Sequence, residues 1–275
     1  MLESTTVALP KSRAQVRVEC PSPIAAATPL ERILRFPPLV QWLDALDTQM
    51  ADRRSAEIAV RRITVQSVDE FRPGAIGFVK FITDAVHAPD GRRVPGIVFL
   101  RGAAVAVLVI LRTPASPRAR VPSWRDTDCV VLVEQPRVAV PDFALRELPA
   151  GMLDGDADGG GFVGTAAREI REETGLEIAA ADLVDLTPAH GLYPSPGACD
   201  EAVRLFACEK RLAEPDLDAL RGRLAGLRAE GELITLRLTR LCDLWRETRD
   251  MQAVAALYMW DRHNDNNDAP PPHDK

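Results

Sequence analysis

Three glutamates carry the first chemical suggestion in this 275-residue chain. Glu169, Glu172 and Glu173 stand at i, i+3 and i+4 in TAAREIREETG, so on a helix they share one face. Ala166, Ala167, Ile170 and Thr174 fill the adjoining, core-directed face. Like charges at this spacing repel by about a few tenths of a kcal/mol per pair. A bound divalent cation reverses that penalty, because carboxylate oxygens are hard ligands suited to Mg²⁺, with Mn²⁺ as the alternative. Arg168 lies one turn before Glu172 and is expected to pair with it, leaving Glu169 and Glu173 as ligands. In isolation such a pattern most often marks a solvated helix face. Its surroundings have to decide.

Upstream, DGDADG from Asp154 to Gly159 matches the opening of a calcium-binding EF-hand loop. The bidentate Glu required at its twelfth position is replaced by Thr165, and ELPAG precedes it where a helix should stand. A flexible connection into the glutamate helix is the better reading of its glycines.

The elements that must position these residues follow from pattern. The helix should run from about Thr165 to Thr174 and stop at Gly175. Ala103–Leu111 and Cys129–Gln135 read as buried strands, with further strands at Ala202–Cys208 and Glu232–Leu238. Asp216–Ala229 and Leu241–Trp260 read as helices. Towards the N-terminus, Leu39, Trp42, Leu43 and Leu46 have helical spacing, and strands are expected at Glu57–Val65 and Gly77–Ile82. Asp90-Gly91 marks a hairpin leading into VPGIVFL. Irregular alternation of strands and helices favours a mixed-sheet α/β sandwich. The expected division is a loose arm at 1–28, a β-rich region at 29–95, the main domain at 96–262 and a disordered tail at 263–275.

Composition narrows the class. Lys+Arg 34 against Asp+Glu 40 leaves a net charge of -6, which argues against a nucleic-acid partner. The longest apolar run, Ala103 to Leu111, is too short to cross a bilayer. The five cysteines are scattered and never spaced C-x-x-C, so neither a zinc site nor a disulfide framework is expected. A cytoplasmic setting follows, with organellar targeting by the Ser/Thr/Arg-containing arm as the alternative.

ELPAG followed by REIREETGL resembles the box of the Nudix hydrolase family, G-x5-E-x7-R-E-U-x-E-E-x-G-U. Gly151 opens it, and Arg168, Glu169, Ile170, Glu172, Glu173, Gly175 and Leu176 fill its second half. VLVEQPRVAV, YPSPGACDE and GELITLRL extend the likeness to the nucleoside-diphosphate-sugar branch, most like plant-type ADP-sugar diphosphatases. One departure stands out. The first glutamate of the box should fall at Ala157, and Arg168 comes three residues late, leaving Asp154, Asp156 and Asp158 as carboxylates in a lengthened loop.

The resemblance implies a Nudix α/β/α sandwich with a mixed sheet, preceded by a smaller β-rich region that pairs two subunits. It implies Mg²⁺-dependent cleavage of the diphosphate of a nucleoside diphosphate sugar, ADP-glucose first and ADP-ribose second. The products would be a nucleoside monophosphate and a sugar phosphate. Glu169, Glu173 and the Ala150 carbonyl are the implied metal ligands. Glu172 belongs to the catalytic set, either as a further ligand or through Arg168. Glu201 is the implied general base, with Asp200 its competitor. Arg137 is implied to contact the diphosphate and Met152 to line the pocket, while Ser195 and Gly197 shape the loop carrying Glu201. Glu147 is expected to anchor the ELPAG turn, and Tyr193 to stack on a base or serve structurally. The rival reading is a non-catalytic Nudix-fold sensor of nucleotide sugars.

Overall fold

The computed structural model describes residues 2–52, 57–113, 127–153, 161–187, 191–227 and 232–268. Two compact units emerge: one runs to Ala103 and takes in Ser195–Glu201, the other comprises Ala104–Pro194 and the chain from Ala202 onward.

The first unit is built on a six-stranded sheet of β1 (Leu2–Leu9), β2 (Ala14–Pro21), β3 (Ile58–Arg72), β4 (Ala75–His87), β5 (Arg93–Val94) and β6 (Ile97–Leu100). β2 and β3 run parallel, and β4 pairs antiparallel with β3, β5 and β6. Asp90-Gly91 makes the turn between β4 and β5, with Gly91 at φ 71. The helix Pro37–Ala51 supplies Leu39 and Leu43 to a core shared with Val16, Val18, Ile63, Val79 and Phe81. Trp42 meets the Phe81 ring edge-on, with centroids 5.0 Å apart.

The loose arm expected at 1–28 is therefore corrected to two paired strands and a short helix, Ser22–Ala27. Val16, Val18 and Cys20 alternate inward and are buried. Two residues of the β1–β2 turn are fastened by Asp47, whose carboxylate accepts the Lys11 and Ser12 amides. Those partners lie far along the chain, so the local Pro/Ser-rich composition conceals them. The boundary near 96 also moves, since β6 belongs to this first sheet.

The second unit contains β7 (Ala104–Arg112), β8 (Cys129–Arg137), β9 (Asp142–Glu147), β10 (Ala150–Met152), β11 (Val184–Asp185), β12 (Val203–Arg211), β13 (Leu224–Ala225) and β14 (Ile234–Arg240). The order is β11-β12-β7-β8-β14-β13, with β10 on β7 and β9 on β8. β12 and β7 are parallel and the other pairs antiparallel, so the sheet is mixed, as expected. Every residue of β7 is buried. Its Ala106, Leu108 and Ile110 pack with Ala253, Ala256 and Trp260 of the C-terminal helix, Met251–Asp268. Its Val105, Val107 and Val109 pack on the opposite side with Ala166 and Ile170 of the helix Gly161–Thr174. Helices on both faces make the strand continuously apolar, the pattern of a sandwich interior.

Three boundaries differ from expectation. The expected helix at Asp216–Ala229 is Glu214–Leu220, followed by the short strand β13. The span Leu241–Trp260 breaks into a 3-10 turn, a short helix Leu244–Glu247 and the start of the C-terminal helix. That last helix continues to Asp268, through residues 263–268 where a disordered tail is expected from the sequence. Trp260 stacks on His263 at 5.8 Å, and buried Asn264 extends the packed face. Among the described residues no helix is long and apolar enough to cross a membrane.

Candidate active site

The glutamate helix ends where its sequence says it should. Gly175 takes φ 66, a left-handed conformation that favours glycine, and its amide bonds the Arg171 carbonyl at 2.8 Å. Ala166 and Ile170 are fully buried, which turns the glutamates towards β10. That strand is only three residues long and is held on β7, with Ala150 opposite Ala106 and Gly151 opposite Val105.

Both outer glutamates reach β10. The Glu173 carboxylate accepts the Ala150 amide at 3.0 Å. A Cβ on Gly151 would stand 2.1 Å from the carboxyl carbon of Glu169, so only glycine lets that side chain lie against the main chain. Arg168 forms the expected i,i+4 ion pair with Glu172 at 3.9 Å and a closer one with Glu169 at 3.2 Å, so it bridges both carboxylates. Its Nη2 donates to Glu169 and its Nε faces Glu172.

Glu173 is 5% exposed. Burial pushes its carboxyl up to about 8, with the charges of Glu169 and Glu232 adding to the rise and the Ala150 amide opposing it. Among the described residues no three His, Cys, Asp or Glu side chains converge as a metal-binding group. Two carboxylates one helical turn apart, meeting a strand with an adjacent backbone carbonyl, nevertheless form a donor set of the right hardness. Water would complete such a shell, as is usual for Mg²⁺. Glu169, Glu173 and the Ala150 carbonyl therefore fit a divalent ion.

One consequence is measurable. The unfolded chain loses the Glu173 proton near the ordinary 4.5, whereas the folded chain keeps it to about 8. Stability of the metal-free protein is thus expected to fall as pH rises from 4.5 towards 8. A cation taking that site must displace the proton, so its apparent affinity should rise by up to about tenfold per pH unit below 8 and then level off. Mn²⁺ titration at pH 6.5 and 8.5 checks this; a pH-independent affinity would contradict it.

The turn before β10 is fastened along its length. Arg137, at the end of β8, donates from Nε to Glu147 at 2.7 Å. Burial raises the Glu147 carboxyl, the Arg137 charge and hydrogen bond oppose the rise, and Asp250 adds to it. Leu148 is fully buried, its amide bonds Asp250, and the Pro149 carbonyl accepts the Val107 amide at 2.9 Å. Met152 closes β10 opposite Ala104 and is half-buried. Arg137→Ala removes a guanidinium whose bonds to a charged group are worth about 1.5–3 kcal/mol. At 1.36 kcal/mol per decade that predicts a KM raised about 10- to 100-fold with kcat little changed. An unchanged KM would count against a substrate contact.

Ser195, Gly197 and Glu201 fall in the N-terminal unit, whereas Arg137, Ala150, Met152, Glu169, Glu172 and Glu173 lie in the other. The Ser195 carbonyl accepts the amides of Ala198 and Cys199, closing a turn around Gly197. Ala198 accepts the Phe99 amide at 2.7 Å and Asp200 accepts those of Arg101 and Gly102, so the segment adds to the end of β6. Asp200 is thus occupied by backbone donors. Burial raises its carboxyl, and those donors oppose the rise. Glu201 forms an ion pair with Arg101 at 3.3 Å. Tyr193 is exposed. Asp154, Asp156 and Asp158 lie outside the described residues.

Sequence reasoning missed Arg101 and Asp250. Thr248-Arg249-Asp250 before an apolar helix is an N-terminal capping signal. Nothing local links it to Leu148.

A family model described as NUDIX domain matches residues 104–258. Nudix hydrolase 14, chloroplastic, of Arabidopsis thaliana is 38% identical over 226 residues, 80% of this chain and 68% of its own. A solved structure described as an ADP compounds hydrolase is similar at TM-score 0.46 and 15% identity, covering 76% of this chain and 98% of that one.

Proposed function

The chain belongs to the Nudix family, and from that premise we propose that it is an Mg²⁺-dependent ADP-sugar diphosphatase. Nudix hydrolases act on nucleoside diphosphate derivatives with divalent metal ions. ADP-glucose is the proposed first substrate and ADP-ribose the second, in keeping with the sequence motifs. The products are a nucleoside monophosphate and a sugar phosphate. The observation that carries the reading is the convergence of Glu169 and Glu173 on β10 at Ala150 and Gly151.

A diphosphate repels nucleophiles through its charged oxygens; a bound divalent ion neutralises them and lowers the pKa of water. Glu169, Glu173 and the Ala150 carbonyl hold that ion, and Glu172 supports them. Arg137, oriented by Glu147, grips the diphosphate. Met152 lines the pocket, and Ser195 and Gly197 shape the loop of Glu201, which takes the proton from water. Two copies pair through the N-terminal unit, where Ile82 and Ile97 face each other across β4 and β6 and are 40% and 53% exposed. The five cysteines, all among the described residues, form no disulfide with one another, which suits a reducing compartment.

Phosphorus NMR of product mixtures tests the activity. The protein is incubated with Mg²⁺ and, separately, ADP-glucose, ADP-ribose and UDP-glucose. Metal-dependent release of a nucleoside monophosphate and a sugar phosphate is expected, fastest with ADP-glucose. Tight binding without cleavage would overturn the enzyme reading in favour of a sensor.

A further inference from the structure

The two residues between β9 and β10, Leu148 and Pro149, are the hinge on which the Ala150 carbonyl is aimed. Proline has no N–H, so the Leu148 amide is the only backbone donor in that gap. It is met by a side chain 102 residues away: Asp250 Oδ2 accepts it at 3.1 Å. The same carboxylate accepts the Gln252 amide on Oδ1 at 2.8 Å, at the first turn of the helix Met251–Asp268. Thr248 doubles the attachment. Its hydroxyl donates to the Arg146 carbonyl at 2.5 Å and accepts the Asp250 amide at 2.9 Å. Residues 248–250 therefore hold the chain on both sides of Glu147, immediately before the strand that receives Glu169 and Glu173.

We propose that Asp250 is a positioning residue of the active site, tethering Leu148 so that the Ala150 carbonyl and Gly151 stay aligned with Glu169 and Glu173. This rests on the metal-site reading given above. The tether acts through a short and stiff lever. Pro149 fixes φ, its carbonyl is pinned by the Val107 amide, and Ala150 follows directly. Leu148 is fully buried, so its amide has no access to solvent as a substitute partner. Ligands of a metal ion tolerate little displacement, and residues that orient them commonly change affinity or activity about 10- to 100-fold when removed.

A simple helix cap would also place an aspartate here, and the test separates the two roles. Asp250→Ser keeps an oxygen able to cap Gln252 but is too short to serve Leu148 as well. In the full-length protein, Mn²⁺ half-saturation measured by direct titration without substrate should rise about tenfold, and with ADP-glucose kcat should fall about 10- to 100-fold. KM for ADP-glucose should rise less than Mn²⁺ half-saturation, because Arg137 is held by the Glu147 side chain and not by the Leu148 amide. Melting temperature should remain near that of the parent. A folded Asp250→Ser with kcat and Mn²⁺ half-saturation within twofold of the parent overturns the inference.

If that variant does not fold, Thr248→Val, which loses the bond to Arg146, decides with the same readouts. A shift in Mn²⁺ half-saturation supports the tether, and an unshifted value overturns it. Glu173→Gln run in parallel distinguishes the failures. If it behaves like the parent, the metal-site reading itself falls. If it is inactive while Asp250→Ser is normal, only the tether does.

Discussion

Glu173→Gln is expected to lower turnover by about 10²- to 10⁴-fold while leaving the fold intact. The size follows from the several kcal/mol that a metal ion supplies to a transition state carrying new negative charge, at 1.36 kcal/mol per decade. The amide is nearly isosteric, and its carbonyl oxygen can still accept the Ala150 amide that the carboxylate now holds. What it cannot do is ionise. The parent carries a buried carboxyl whose proton is kept to about 8. Above that pH the metal-free parent bears an uncompensated charge and the variant does not. The metal-free variant should therefore gain melting temperature relative to the parent between pH 6 and 8.5, while losing Mn²⁺ binding. Near-parental turnover at saturating Mn²⁺ would remove Glu173 from the ligand set.

Glu201→Gln should produce a loss of similar size by another route. General-base catalysis contributes about 10²- to 10⁴-fold, and Gln cannot take a proton from water. Because Glu201 is not among the proposed ligands, Mn²⁺ half-saturation should stay within about twofold of the parent, which separates this variant from Glu173→Gln. Asp200 offers the internal comparison. Its carboxylate accepts the Arg101 and Gly102 amides, so Asp200→Asn is expected to loosen the loop and cost less turnover than Glu201→Gln. The reverse ranking would transfer the base to Asp200.

Much of the architecture could be read locally. The helix bearing Glu169, Glu172 and Glu173, its stop at Gly175 and the buried strands β7 and β8 follow from spacing and composition. The α/β class follows from their alternation. What misled was composition without alternation. Residues 1–28 look like a loose arm because proline and serine dilute the signal, yet Val16, Val18 and Cys20 are buried once β2 pairs with β3. The chain reads as polar from His263 onward, yet the C-terminal helix continues to Asp268, with Trp260 stacked on His263 and Asn264 buried. The i,i+4 pairing of Arg168 with Glu172 follows from spacing, whereas its closer approach to Glu169 does not.

The sequence by itself determined which carboxylates share a helical face, because a period of 3.6 residues is a property of the chain alone. It also determined where that face ends, because glycine accepts a left-handed backbone that other residues resist. Only the tertiary structure decided what the face meets. The contact of Glu169 with Gly151, the bond from Ala150 to Glu173 and the tether from Leu148 to Asp250 join residues 18, 23 and 102 positions apart. Such contacts form when separate elements bury their apolar faces on a common sheet, and that packing sets the side-chain distances on which metal binding depends.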